Sequence, residues 1–173
     1  MADYKVLVPF IKRFEGGFVN DPKDRGGATN KGITMNTWRI YCNRKGKTAS
    51  VATLKAVTDA EWNDVFKSMY WDRCKADDIN DQSVANMLVD WYWNSGRWAV
   101  KHLQRIINVA DDGVIGNKTL TALNSFNAVS LFDRLKQDRL KFVENIARNN
   151  PSQKRFLRGW KNRINAIVRG GFV

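Results

Sequence analysis

Leu7, Phe10, Ile11 and Phe14 recur at i, i+3, i+4 and i+7 near the start of the chain. That spacing lays one apolar stripe along a helix. Pro9 falls inside the stripe, so the helix starts just before it or bends there. Gly16 and Gly17 are the expected stop, since glycine is favoured just past a helix C-terminus. Further helices are predicted over residues 35–43 and 51–56. Thr58 and Glu61 have capping-box spacing and open another, to about residue 71. Asp81 or Ser83 caps the next, to about residue 93, with Val84, Leu88 and Trp91 on one face. Asn94-Ser95-Gly96 breaks it, and residues 98–107 form the next helix. The stretch ADDGVIG over 110–116 is a turn-rich joint, followed by a short helix over 119–123. Residues 127–149 read as one long helix with Phe132, Leu135, Phe142 and Ile146 inward. Pro151 opens the last, with Leu157, Trp160, Ile164 and Ile167 inward. Strands are expected only in the 16–34 loop, where ATNKGIT is short and β-tolerant enough for a small hairpin. The prediction is an all-α protein of about eight helices.

Composition narrows the chemistry. The chain has 173 residues, enough for one domain or two small ones sharing a core. No run is long and apolar enough to cross a bilayer, so no integral membrane segment is expected. MADYKVLVPFIKRFEGG lacks the basic, apolar, small order of a signal peptide, so the expectation is a soluble chain made in the cytoplasm. Cys42 and Cys74 are the two cysteines and His102 the one histidine. Two cysteines make no disulfide framework, and with one histidine neither a zinc site nor another cofactor is expected. Cys42 and Cys74 read as packing residues and His102 as a surface residue. Net charge is +12, and the segment from Asn127 onward holds eleven Lys or Arg against three acids. Such a chain is drawn to polyanions: nucleic acid, anionic lipid or an anionic cell wall.

Only three glutamates are present, Glu15, Glu61 and Glu144. Glu61 is explained by its capping box, and Glu144 by basic neighbours on the long helix. Glu15 has no such explanation: it sits at a helix C-terminus, where the macrodipole disfavours a carboxylate. A local rule broken beside a glycine-rich loop points to function. Asp24 follows nine residues later, with a glycine-bearing reversal between them. Two carboxyls facing across a gap suit glycosidic cleavage, one protonating the leaving oxygen and the other serving water or the cation-like sugar. On spacing alone, catalysis and turn formation are equally good readings of Asp24. Asp21, in Asn20-Asp21-Pro22, reads better as a turn former.

The stretch FEGGFVNDPKDRGGATNKGIT resembles the signature of glycoside hydrolase family 108, a group of phage and prophage endolysins and related lysozyme-like proteins. The family's E-G-G glutamate falls on Glu15. Its D-P-x-D-x-G-G-x-T-x-x-G-I run matches residues 21–33. The stretch is also similar to the wider phage-lysozyme pattern of Glu, Asp and Thr, which adds Thr29, although four residues separate Asp24 from Thr29 where T-even phage lysozymes have five. HLQRIIN with DDGVIGNKTLTAL resembles a small helical peptidoglycan-binding module. The resemblance implies a lysozyme-like fold, with a catalytic region over 1–93 and a peptidoglycan-binding-like region over 94–173, packed as one unit. It implies a muramidase, cutting the β-1,4 bond from N-acetylmuramic acid to N-acetylglucosamine, that acts on the periplasmic wall after release. Tyr70, Trp71 and Asn94 match the family's aromatic pair and N-S-G turn and are assigned to substrate binding. A monomer is expected, with peptidoglycan rather than nucleic acid as its partner.

Three other readings compete. A non-catalytic wall-binding protein would keep the 111–123 segment but have no use for Glu15. A nucleic-acid-binding protein would use the basic last third, yet its Phe156 and Trp160 fall on the apolar stripe. Basic terminal helices can also disturb membranes, although their aromatic sides are expected to face the core.

Overall fold

The computed structural model describes residues 1–20 and 27–173. Asp21 and Asp24 lie outside them. Backbone packing groups the chain into two compact units, Val8–Met69 and Met1–Leu7 with Tyr70–Val173. Nine α-helices and two small antiparallel hairpins are found among the described residues. The all-α, lysozyme-like class holds. No described helix is long and apolar enough to cross a membrane.

Helix α1, Tyr4–Phe14, starts ahead of Pro9 and continues through it. It stops at Phe14, and neither Gly16 nor Gly17 takes the left-handed conformation that usually ends a helix. Strands β1 (Thr29–Asn30) and β2 (Ile33–Thr34) form the expected hairpin, with Asn30 opposite Ile33. Its two turn residues, Lys31 and Gly32, both have positive φ, 49° and 79°. That is the type I′ pattern, whose twist suits a two-residue hairpin. Thr34 then caps α2 (Met35–Arg44). Ser50 opens α3 (Val51–Lys55) and Thr58 opens α4 (Asp59–Phe66), each by a reciprocal capping box.

Buried polar bonds fix the hairpin within the unit Val8–Met69. Asn30 donates to the carbonyls of Leu54 (3.0 Å) and Lys55 (3.1 Å), and the Trp62 indole donates to Lys31 O at 2.9 Å. The Trp38 indole donates to Thr53 Oγ1 at 3.0 Å. Ile33, Trp38, Leu54 and Trp62 fill the core around these bonds.

The helix expected to reach residue 71 changes type at Lys67. Lys67–Trp71 is a π-helical turn, followed by 3₁₀ turns over Asp72–Cys74 and Ala76–Asp78. Helix α5, Gln82–Ser95, is buried at every position from Ser83 to Trp91. Three of those nine positions are polar, Ser83, Asn86 and Asp90, so the helix is a core element whose buried polar groups need partners. Helices α6 (Arg97–Ile106) and α8 (Ala128–Asn149) pack on α5. Helix α7 spans Asn117–Ser125. Pro151 opens a 3₁₀ turn, Pro151–Phe156, and not the last helix itself, α9, which spans Leu157–Ala166.

Three sequence expectations need correction. Strands β3 (Ile167–Val168) and β4 (Gly171–Phe172) form a second hairpin outside the 16–34 loop. His102 is half-buried, against Trp91 and Phe142, with Nδ1 on Asp138 Oδ2 at 2.6 Å; it is not a surface residue. Phe156, expected inside, is 43% exposed and lies against Trp160. Cys42 and Cys74 are free, buried packing residues, and burial pushes both thiols up from their ordinary range.

Candidate active site

Glu15 is the first residue beyond α1 and is half-buried. Its N–H reaches back to Lys12 O at 3.4 Å, a weak last-turn bond. The turn before it is basic and aromatic. Phe10 and Phe14 pack with ring centroids 4.9 Å apart, and the Arg13 guanidinium lies over both. Lys12 pairs with Asp59 at 3.3 Å. Helix α1 thus ends in two cations, which complement its dipole, and the carboxylate that does not complement it stands just outside.

The chain beyond Glu15 is tied to Thr29. Val19 and Thr29 exchange both backbone hydrogen bonds at 2.8 Å, so Val19 adds a bridge to the edge of the hairpin. Both Thr29 backbone groups are fixed. Its hydroxyl has no hydrogen-bond partner among the described residues. Glu15 and Thr29 both belong to the unit Val8–Met69, and the segment leaving Glu15 pairs with the strand that carries Thr29.

The three residues assigned to substrate binding belong to the other unit and meet different fates. Tyr70 is half-buried, at 4.4 Å between centroids from Trp93 and edge-on to Tyr92 at 6.2 Å. Burial raises the Tyr92 phenol above its ordinary range. Trp71 is fully buried, and its indole N–H donates to Asp77 Oδ1 at 2.7 Å. That makes Trp71 a core residue, whereas its neighbour Tyr70 keeps part of its ring open. Asn94 is exposed, and its Oδ1 accepts from Arg139 Nη2 at 2.9 Å. Its amide NH₂ is therefore the group left to face solvent.

Arg139 is a residue that sequence reasoning missed. It is buried and also donates to Asp90 Oδ2 at 2.7 Å, while Arg163 donates to Asp90 Oδ1 at 2.8 Å. Burial alone would raise the Asp90 carboxyl. The two guanidiniums outweigh that and hold it below the ordinary carboxylate range. No group of three His, Cys, Asp or Glu side chains comes together among the described residues.

The 110–116 joint is built by one side chain. Gln104, fully buried, donates to Asp112 Oδ1 (2.8 Å), Val114 O (3.0 Å) and Thr119 Oγ1 (3.2 Å). Its Oε1 accepts from Gly113 N at 2.8 Å. Gly113 has φ 77°, and a Cβ there would meet Arg97 Nε at 3.0 Å. Gln104, Asp112 and Gly113 therefore hold this loop in shape.

Residues 8–96 match the family described as Glycosyl hydrolase 108, and residues 98–165 match one described as Predicted Peptidoglycan domain. A solved structure titled "Structure of Brucella abortus SagA" is similar over 95% of this chain and 90% of that one, with 33% identity and a TM-score of 0.79. No curated protein matches. The chain belongs to the glycosyl hydrolase 108 family, as a lysozyme-like glycoside hydrolase of peptidoglycan.

Proposed function

We propose that the protein is a muramidase, cutting the β-1,4 bond from N-acetylmuramic acid to N-acetylglucosamine, with Glu15 as general acid. The observation that carries this reading is Glu15 itself, released from α1 at its last turn on a segment joined to the Thr29 strand. Glu15 donates a proton to the glycosidic oxygen as the C1–O bond breaks. Asp24 stabilises positive charge at the anomeric carbon or orients a water. The hydroxyl of Thr29, which has no hydrogen-bond partner among the described residues, suits it to hold that water. The outward amide of Asn94 and the open part of Tyr70 are suited to sugar hydroxyls and an apolar ring face.

Carboxyl separation decides the stereochemistry. A gap of ~6.5–9.5 Å admits water and gives inversion, whereas ~5–5.5 Å lets the second carboxylate attack with retention. Inversion is the reading that keeps a role for Thr29.

Glu15→Gln tests the assignment. General acid catalysis contributes about 10²–10⁴-fold, so clearing of purified walls should fall by that much while the circular dichroism spectrum and wall binding persist. Clearing at near wild-type rate would remove Glu15 from the reaction. Mass spectrometry of the digest identifies the bond: new reducing ends belong on N-acetylmuramic acid, and ends on N-acetylglucosamine would make the enzyme a glucosaminidase.

A further inference from the structure

Helix α8 carries a charged stripe that the hydrolytic reading does not use. Arg134, Lys141 and Arg148 are exposed and stand seven residues apart. Seven residues are two helical turns, so the three cations share one face at steps of about 10.5 Å. The stripe runs through two surface concavities in succession. One, of about 540 Å³, lies between α6 and α8 and takes in Arg105, Arg134, Gln137 and Lys141. The next, of about 510 Å³, lies where α8 meets the Pro151–Phe156 turn and α9, and takes in Arg148, Lys154 and Lys161.

These cations are little engaged by the protein. Lys141, Arg148 and Lys154 form no salt bridge among the described residues, although the charge of Arg148 helps Lys161 to hold down the Glu144 carboxyl. Arg134 lies over the ring of Phe126, at 5.4 Å from its centroid, and forms no salt bridge among the described residues. The two carboxylates on the stripe are both occupied: Asp138 holds His102 and Glu144 holds Lys161 at 2.7 Å. On this stripe both carboxylates are engaged and the cations lack salt-bridge partners among the described residues, so it presents hydrogen-bond donors to an anion.

A regular row of cations fits a polymer with anions at regular intervals. The peptide stems of peptidoglycan carry carboxylates, repeated once per disaccharide along the glycan. The concavities contain no Phe, Tyr or Trp, so the aromatic platforms that bind single-stranded nucleic acid are missing from them. All these residues fall within 98–165, the segment that matches the peptidoglycan family. We propose that this face of α8 is a binding track for the stem-peptide carboxylates of peptidoglycan, with Arg134, Lys141 and Arg148 as its contacts. The proposal rests on the wall as substrate and deepens that reading.

The test measures sedimentation with purified walls, in a Glu15→Gln background so that the wall is not consumed. The triple variant Arg134→Gln, Lys141→Gln, Arg148→Gln is compared with Lys5→Gln, Arg39→Gln, Arg44→Gln, which removes equal charge from exposed positions outside residues 98–165. Thermal unfolding confirms that both are folded. The track variant should bind intact walls at least tenfold more weakly, and the control less than twofold. Glycan stripped of its peptides by an amidase should bind weakly and show no difference between the variants. Equal losses in the two triples would reduce the effect to net charge and overturn the track. So would equal loss on stripped glycan, or duplex DNA displacing walls from the track at matched charge. If the Glu15→Gln protein itself still cleared walls, the assignment of Glu15 would fall, and the binding comparison would be made on ice, before the wall is consumed.

Discussion

Thr58 and Glu61 cap one another across a single turn, as their spacing foretells, whereas Glu144 finds its cation on another helix, at Lys161 of α9. Glu15 is conspicuous for the opposite reason, because no local rule explains it. Long-range partners left no trace. Arg139 lies forty-five positions from Asn94, and nothing along the chain announces that one side chain orients the other. Gln104 stands between these cases. It falls in the HLQRIIN stretch that resembles a peptidoglycan-binding module, but only the structure shows that it fastens a loop. Replacing Gln104 by Ala strands the Gly113 N–H and frees Asp112 and Thr119. Leaving a buried donor unpaired costs about 1–3 kcal/mol, so Gln104→Ala should lower the urea midpoint accordingly. An unchanged midpoint would mean that the loop keeps its shape without this side chain.

Elements follow the same logic of distance. The Thr29–Thr34 hairpin was legible because Asn-Lys-Gly between short β-tolerant runs carries its own turn chemistry. The Ile167–Phe172 hairpin was not, since its strands are two residues each and Ile167 continues the α9 stripe. Helix α5 belongs to the segment matching the hydrolase family, yet it packs on α6 and α8, which lie in the other matching segment. Asp90 pins that joint by holding Arg139 of α8 and Arg163 of α9. Removing one member of a buried ion pair costs about 3–5 kcal/mol, so Asp90→Asn should be severely destabilised at neutral pH. The pH dependence has a definite sign. The Asp90 carboxyl lies below its unfolded value, so its contribution is fully present above about pH 3.9 and is lost as pH falls through the lower, folded value. Urea titrations from pH 7 to pH 2 should show stability dropping below about pH 4. That acid limb should be shallower in Asp90→Asn, and an equally steep limb would place the proton uptake on other carboxyls.

At the scale of the whole molecule, charge acts in two opposing ways. A net charge of +12 attracts an anionic wall and also repels itself, which weakens the compact state. Salt screens both, because the Debye length falls from about 10 Å at 0.1 M to about 3 Å at 1 M. Surface cations on α8 and in the last third lie in open solvent and are exposed to that screening, whereas the Arg139–Asp90–Arg163 cluster is buried and protected from it. Raising salt should therefore raise the unfolding temperature slightly while slowing wall clearing, and the two trends should separate cleanly. Hydrolysis of a short, uncharged β-1,4 oligosaccharide should stay nearly flat, since the general-acid step proposed for Glu15 needs no long-range attraction. Clearing measured at about 0.05 M and about 0.5 M salt, beside unfolding temperature and soluble turnover, checks all three. If soluble turnover fell in parallel with clearing, salt would be acting on the reacting groups. If clearing did not respond at all, the positive surface would play no part in finding the wall, and the excess cations would be a solvated face alone.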